Sequence, residues 1–377
     1  MLPKAQKISL KIGVKTIMDR IKVGVLGATG MVGQNYIRLL NNHPWFEVAY
    51  VAASPNSAGK RYADAVQGRW LMAEPIPEAA RDLIVGDANM VGLAKGKCKL
   101  VFSAIEAEKD VVRRLEEEYA KEGFSVVSNN SAHRSTPDVP MIVPEVNWEH
   151  TALISAQRKR RGWNQGLIAV KPNCSIQSYV TPLYALIRAG YHIEAAFVTT
   201  MQAVSGAGFP GPASLQMIDN VIPFIKGEEE KSEQEPLRVL GKLVNGEVVA
   251  EKSLRISAHC NRVPVIDGHT ACVSMKFAGP KPSLQDIIRI WSEFTSEPQK
   301  LNLPSAPRPP IIYRGEPDRP QPRMDRDAGK SMAVTVGRLR PCNVFDYRFV
   351  GLSHNTVRGA AGGAILTAEL LKAQGYF

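Results

Sequence analysis

Apolar and polar positions follow two different patterns along the chain, which meet near residue 173. From Ile21, "IKVGVLG" is an apolar run of strand length. A glycine-rich turn follows, and then "MVGQNYIRLLNN", whose apolar positions recur at helical spacing. "FEVAYVAAS" predicts a second strand, "KLVFSAI" (99–105) a third, "EAEKDVVRRLEEEYAKEG" (106–123) a helix and "FSVVSNN" (124–130) another strand. Apolar strands alternating with helices predict an α/β, Rossmann-like domain with a doubly wound parallel sheet. Beyond Cys174 a helix is expected over 174–189, then a long strand in "YHIEAAFVTTMQAVSG" and strands near 254–264, 271–277, 331–339 and 344–350. One clear helix is expected at 283–296. That order predicts an α+β second domain on a mostly antiparallel sheet.

The expected organisation is a basic N-terminal extension over 1–20, a first domain over 21–173 and a second over 174–353. A C-terminal helix within 354–377 returns to the first domain, because the small residues of "NTVRGAAGGAILTAELLKAQ" permit close backbone approach. The Pro- and charge-rich stretch 297–330 predicts a long surface excursion at the second domain's edge.

A chain of 377 residues exceeds what one core usually fills, which agrees with two domains. No run approaches the ~20 apolar residues of a membrane-spanning helix. The first twenty residues carry five basic side chains and one acid, Asp19, without the apolar stretch of a secretory signal. A mitochondrial transit peptide is the alternative to a plain extension there. Five scattered cysteines without a CxxC pair point away from zinc or a disulfide framework and fit a reducing cytoplasm. The net charge of +11 is concentrated at the N-terminus and in "QRKRRGW", with no interleaved aromatics. It therefore reads as solvated faces and an anionic substrate and cofactor, not nucleic acid.

"GATGMVG" follows a strand and opens a helix, the context in which Gly27, Gly30 and Gly33 form a dinucleotide fingerprint. The backbone turns tightly there, and a pyrophosphate sits at the helix start, beside Thr29, Met31 and Val32. The second strand's tip, "AASPNSAGK", has no acid for ribose hydroxyls but offers Ser54, Asn56, Ser57 and Lys60. A hydroxyl-rich, basic loop favours a 2′-phosphate, so NADP is the expected cofactor. Ser103, Ser205 and Gly206 are further candidate cofactor contacts.

Cys174, preceded by Pro172-Asn173, is expected at a helix start, where amides and the macrodipole stabilise a thiolate. Cys98, Cys260, Cys272 and Cys342 read as small buried apolar residues. A nucleophilic thiol beside a dinucleotide fold suggests aldehyde dehydrogenase chemistry, with hydride passing between a sulfur-bound carbon and nicotinamide. "CNRVPVIDGHT" offers His269 seven residues after Arg262, on a strand-turn-strand pattern that brings both to one pocket.

Taken together, "GATGMVG", "SNNSAHR", "PNCS", "MQAVSGAG", "GEEEK" and "NRVPVIDGHT" resemble, in order and approximate spacing, the aspartate-semialdehyde dehydrogenases of archaea and fungi. The resemblance runs from about residue 20 to the C-terminus. It implies Cys174 as nucleophile, His269 as general base or acid, Gln202 orienting the acyl intermediate and Asn173 orienting the cysteine loop. It also implies Arg262 on the substrate α-carboxylate, Glu228 on its ammonium with Glu229 as rival, and Lys231 and Arg134 on phosphate. Asn355 would lie near the nicotinamide amide. Lys171 departs from the pattern, standing where relatives generally carry an uncharged residue. It either alters the thiol's pKa or points outward to solvent.

The implied reaction is NADP-dependent reductive dephosphorylation of 4-phospho-L-aspartate to L-aspartate 4-semialdehyde, toward lysine, threonine, methionine and isoleucine. The implied second domain is catalytic and dimerising, giving a homodimer or homotetramer. Rival expectations are an N-acetyl-γ-glutamyl-phosphate or malonyl-CoA reductase, or a non-catalytic dinucleotide-binding regulator.

Overall fold

The computed structural model describes residues 20–377; the rest of the basic extension expected over 1–20 lies outside them. The first domain is a six-stranded parallel sheet in the order β3-β2-β1-β4-β5-β6. Its strands are β1 (Ile21–Leu26), β2 (Phe46–Ala53), β3 (Val85–Asp87), β4 (Leu100–Ser103), β5 (Ser125–Ser128) and β6 (Leu167–Val170). β4, β5 and β6 are buried at every position, as a sheet covered by helices on both faces requires. Strand order reverses between β1 and β4, and a ligand crevice opens outside the carboxyl ends of strands at such a switch point.

The second sheet has the order β10-β7-β11-β14-β13-β12. It contains β7 (Ile193–Gln202), β10 (Arg255–Arg262), β11 (His269–Phe277), β12 (Ile311–Arg314), β13 (Val334–Pro341) and β14 (Tyr347–Ser353); β8 (Lys242–Val244) and β9 (Glu247–Val249) form a separate hairpin. The sheet is mixed. The central pairings β7–β11, β11–β14 and β13–β14 are antiparallel, and the outer ones, β10–β7 and β12–β13, are parallel. The expected excursion over 297–330 contributes the edge strand β12. It is anchored by Asp325, a buried carboxylate bound by Arg314 and Arg319.

The helix Gly362–Ala373 returns as expected. Ala364, Ile365, Ala368 and Leu371 join one apolar cluster with Val23, Val25 and Phe102 of the first sheet. The helix expected over 174–189 is not continuous. A short 3-10 turn, Ser175–Ser178, is followed by a helix at Val180–Arg188, with Tyr179 out of helical geometry (φ −139°, ψ −23°) between them. Cys272 also departs from expectation, its side chain lying exposed on the second sheet.

Candidate active site

The nucleotide side is built mostly from backbone and small residues. A crevice of about 330 Å³ lies over the β1 turn, lined by Gly27, Thr29, Gly30 and Met31, by Ser54 after β2, and by Ala104 and Glu106 after β4. Gly27 has φ +76°, and a Cβ there would stand 2.2 Å from the Ala104 carbonyl, so only glycine lets the turn close on β4. The helix Met31–Leu39 starts without a side-chain cap, leaving its first amides to an anion in the crevice.

Several expected cofactor residues stand elsewhere. Val32, Gly33, Asn56, Ser57, Lys60 and Ser103 do not line the crevice. Gly33 serves packing, since a Cβ there would meet the Gly27 carbonyl at 2.1 Å. Ser103 is buried in a polar knot, accepting from Asn130, which also donates to the buried Glu116. The lining cation is Arg69, not Lys60. Gln34 holds the Arg69 segment to the first helix, donating to the Arg69 carbonyl at 2.8 Å and accepting from the Leu71 amide at 2.8 Å.

Three strand ends bring the reactive side chains together. Gln202 ends β7 and pairs in register with Arg262, which ends β10, while His269 opens the neighbouring antiparallel β11. Cys174 lies at the head of the 3-10 turn with its Sγ 3.4 Å from His269 Nε2. The Ala203 amide donates to His269 Nδ1 at 3.0 Å. A backbone N–H can only donate, so the proton of the neutral ring sits on Nε2, facing the sulfur. Burial, with Arg262 nearby, pushes His269 from 6.5 down to about 3. The ring is thus a neutral hydrogen-bond donor, and the general-base half of the sequence expectation does not fit this tautomer.

Nor does a helix start make the thiol acidic. The 3-10 turn is too short to carry much of a dipole, and burial, with Glu228 adding to it, pushes the Cys174 thiol above its ordinary value. Lys171, Arg134 and Arg262 oppose that rise.

Behind the sulfur the polar groups are interlocked. Asn173 Oδ1 accepts from the Ser175 amide at 2.7 Å, its amide N–H donates to Glu235 at 2.5 Å, and its Nδ2 donates to Glu228 at 2.9 Å. Gln202 Nε2 and Lys231 Nζ also donate to Glu228, at 3.1 and 2.8 Å. Burial alone would raise the Glu228 carboxyl, yet Lys231, Asn173 and Gln202 hold it below its ordinary value, so it stays anionic. Glu229 accepts from the Cys260 amide instead, away from this knot, so Glu228 is the glutamate at the cysteine loop.

Arg262 donates to the Ala203 carbonyl at 2.8 Å, and Gly206 is tight against Arg262 and His269, a Cβ there meeting Arg262 Nη1 at 2.9 Å and His269 Cε1 at 3.0 Å. Arg134 donates to Glu235, to the Lys171 carbonyl and to the Asn129 carbonyl. Asn355 donates to Ser205 Oγ at 2.8 Å and accepts from the Gly268 amide at 2.8 Å. Ser205 lines a second crevice of about 790 Å³, which shares Met31, Leu71 and Phe209 with the nucleotide crevice. Cys174 lines neither crevice, and Gly206, which follows Ser205, packs against its partner His269. Sequence reasoning missed Arg69, Glu106 and Phe209, for which no local spacing gives a signal.

A doubly wound nucleotide sheet joined to a half-buried cysteine paired with a buried histidine defines a class, the dinucleotide-fold oxidoreductases that carry a reactive thiol. Comparison narrows it. The family description "Semialdehyde dehydrogenase, NAD binding domain" matches residues 22–154, and "Semialdehyde dehydrogenase, dimerisation domain" matches 183–358. Aspartate-semialdehyde dehydrogenase of Archaeoglobus fulgidus is 46% identical over 354 residues, 93% of this chain and 98% of its own. That of Methanothermobacter thermautotrophicus is 48% identical over 353 residues, 93% and 99%. The crystal structure of aspartate semialdehyde dehydrogenase with NADP from Candida albicans superposes with TM-score 0.86 at 41% identity, over 95% of this chain and 100% of that one. The chain belongs to the aspartate-semialdehyde dehydrogenase family.

Proposed function

We propose that this enzyme reduces 4-phospho-L-aspartate to L-aspartate 4-semialdehyde with NADPH, and that Cys174 carries the acyl group. The observation that carries this reading is the 3.4 Å contact between Cys174 Sγ and a His269 nitrogen that bears a proton. Cys174 attacks the acyl carbon as the thiolate, the carbon–oxygen bond to phosphate breaks with the electron pair leaving on phosphate, and a thioester remains on Cys174. Arg134 and Lys231 receive the phosphate, Arg262 the α-carboxylate and Glu228 the ammonium, a planar fork and a fixed anion suited to a free amino acid. When bound, NADPH supplies the hydride. His269 Nε2–H is aimed at the oxygen that turns negative at this carbon and holds that charge with a hydrogen bond. Collapse of the sulfur–carbon bond then frees the semialdehyde and the sulfur.

The cofactor fits the crevice on three counts: the uncapped helix start, the glycine turn, and a β2 tip without a carboxylate but with Arg69 close by. Gly27, Thr29, Gly30, Met31 and Ser54 would hold it, with Arg69 on the 2′-phosphate and Ser205, Gly206 and Asn355 on the nicotinamide side. The organisation that goes with this reading is a nucleotide domain over 21–173 completed by the C-terminal helix, and a catalytic, dimerising domain over 174–353. The proposed assembly is a homodimer or homotetramer, supported by the exposed Phe197 and Cys272 on the second sheet. No helix of the described residues is long and apolar enough to cross a membrane, and a cytoplasmic location is the proposal.

A substrate panel tests the reading. With phosphate and NADP, L-aspartate 4-semialdehyde should turn over far better than N-acetylglutamate semialdehyde. The reverse preference would overturn the substrate assignment.

A further inference from the structure

The proposed chemistry leaves one buried cation without a task. Lys171 follows β6 and is only 2% exposed, so the structure decides against an outward-pointing side chain. Its Nζ donates to the Pro172 carbonyl at 2.5 Å, the carbonyl that leads into Asn173 and Cys174. Its own carbonyl accepts from Arg134 Nε, and its amide donates to the Ser128 carbonyl, which fix the backbone from which the side chain leaves. The C-terminal segment is shaped to both residues. A Cβ on Gly359 would meet Cys174 Cβ at 2.9 Å, and one on Gly363 would meet the Arg358 carbonyl at 2.3 Å and Lys171 Cδ at 3.1 Å.

The charges facing Lys171 come from four elements: Arg134 after β5, Glu235 on the helix Glu228–Val239, Arg358 on the C-terminal segment, and Cys174. Glu235 is already bound by Arg134 and by the Asn173 amide, and Arg358 by Glu145. A buried ammonium bound only to a carbonyl is costly unless an anion compensates it. With Glu235 taken, the other anion that acts on Lys171 is the Cys174 thiolate, whose sulfur has His269 as its hydrogen-bond partner. Resting on Cys174 as nucleophile, we propose that the Lys171 ammonium is the countercharge of the Cys174 thiolate, a positioning residue acting from behind the cysteine loop. Burial, reinforced by Arg134, brings Lys171 from 10.5 to about 7, while Cys174 and Glu235 pull it back up. On the sulfur's side, Lys171 is the foremost of the charges opposing the rise caused by burial and Glu228. Two groups coupled in this way titrate as a pair.

The test is the pH profile of Cys174 alkylation by iodoacetamide in the full-length, cofactor-free enzyme, followed on the Cys174 peptide by mass spectrometry. Lys171→Gln keeps a donor for the Pro172 carbonyl and removes the charge. It should move the alkylation midpoint up by about one pH unit or more, a tenfold loss of thiolate at fixed pH, and Lys171→Arg should restore it. A wild-type profile in Lys171→Gln, or an equal loss in both variants, overturns the proposal. Should Lys171→Gln not fold, the reciprocal effect decides. Carbamylation of Lys171 by cyanate at neutral pH should be faster in Cys174→Ala than in wild type, because the ammonium has lost its anion, and an unchanged rate contradicts the coupling. Neither readout uses turnover, so both stand apart from the nucleophile assignment, which fails separately if Cys174→Ser keeps its activity.

Discussion

Along the nucleotide crevice the chain presents backbone and small side chains: the glycine turn, Ser54, Ala104 and the uncapped start of Met31–Leu39. Around Cys174 it presents charged side chains that already satisfy one another, with Glu228 taking hydrogen bonds from Asn173, Gln202 and Lys231. The first region is an open mould for a large anion. The second is a closed set in which each polar group fixes the next, as a buried network must be if it is not to be destabilising. Substitutions on the nucleotide side should therefore alter affinity for one ligand, and substitutions in the cluster should alter chemistry or folding.

The largest effect expected in the cluster is on turnover. Cys174→Ser should lose at least about 10³-fold in kcat, since it removes the nucleophile itself, while fluorescence titration finds NADPH binding unchanged. On stability, the buried pair Arg358–Glu145 sets the scale. Arg358→Met leaves the Glu145 carboxylate buried and uncompensated and should lower unfolding stability by about 3–5 kcal/mol in denaturant titration. Arg262→Lys keeps the charge but loses the fork, and should raise the KM for the semialdehyde by about 10–100-fold.

On the nucleotide side, Arg69→Ala should weaken NADP binding by about tenfold with little change for NAD. An equal loss of both would remove Arg69 from the 2′-phosphate and blur the contrast between the regions. The smallest effect is a pH slope. Below about 6.5 the unfolded chain protonates His269, which the folded protein refuses until about 3. The stability contributed by the neutral ring is therefore complete above pH 6.5 and declines as pH falls toward 3. His269→Asn should flatten that part of the acid-unfolding curve.

The same contrast explains what was legible in the sequence. The glycine turn, β1, β2, β4 and the C-terminal return were readable because each depends on periodicity or on one local conformation. Cys174 and the Arg262–His269 pair were legible locally as candidates, but Gln202 and Glu228 were readable only through family resemblance. Gln202, Arg262 and His269 meet at the ends of strands distant in sequence, while Cys174 and Glu228 come from a turn and a helix. Arg69 was missed because Gln34 carries its segment to the crevice through a contact 35 positions away in sequence. The acidity expected of Cys174 also failed, because a helix was assumed where Tyr179 interrupts the chain and burial outweighs the turn's amides.

The most direct test of the central claim, acyl transfer through Cys174, is a phosphate-free mixture of enzyme, NADP and L-aspartate 4-semialdehyde, quenched in acid and mapped by mass spectrometry. A stoichiometric burst of NADPH with an aspartyl adduct on the Cys174 peptide is the predicted result. A burst with the adduct on another residue, or no burst from enzyme that turns over normally once phosphate is added, would contradict it.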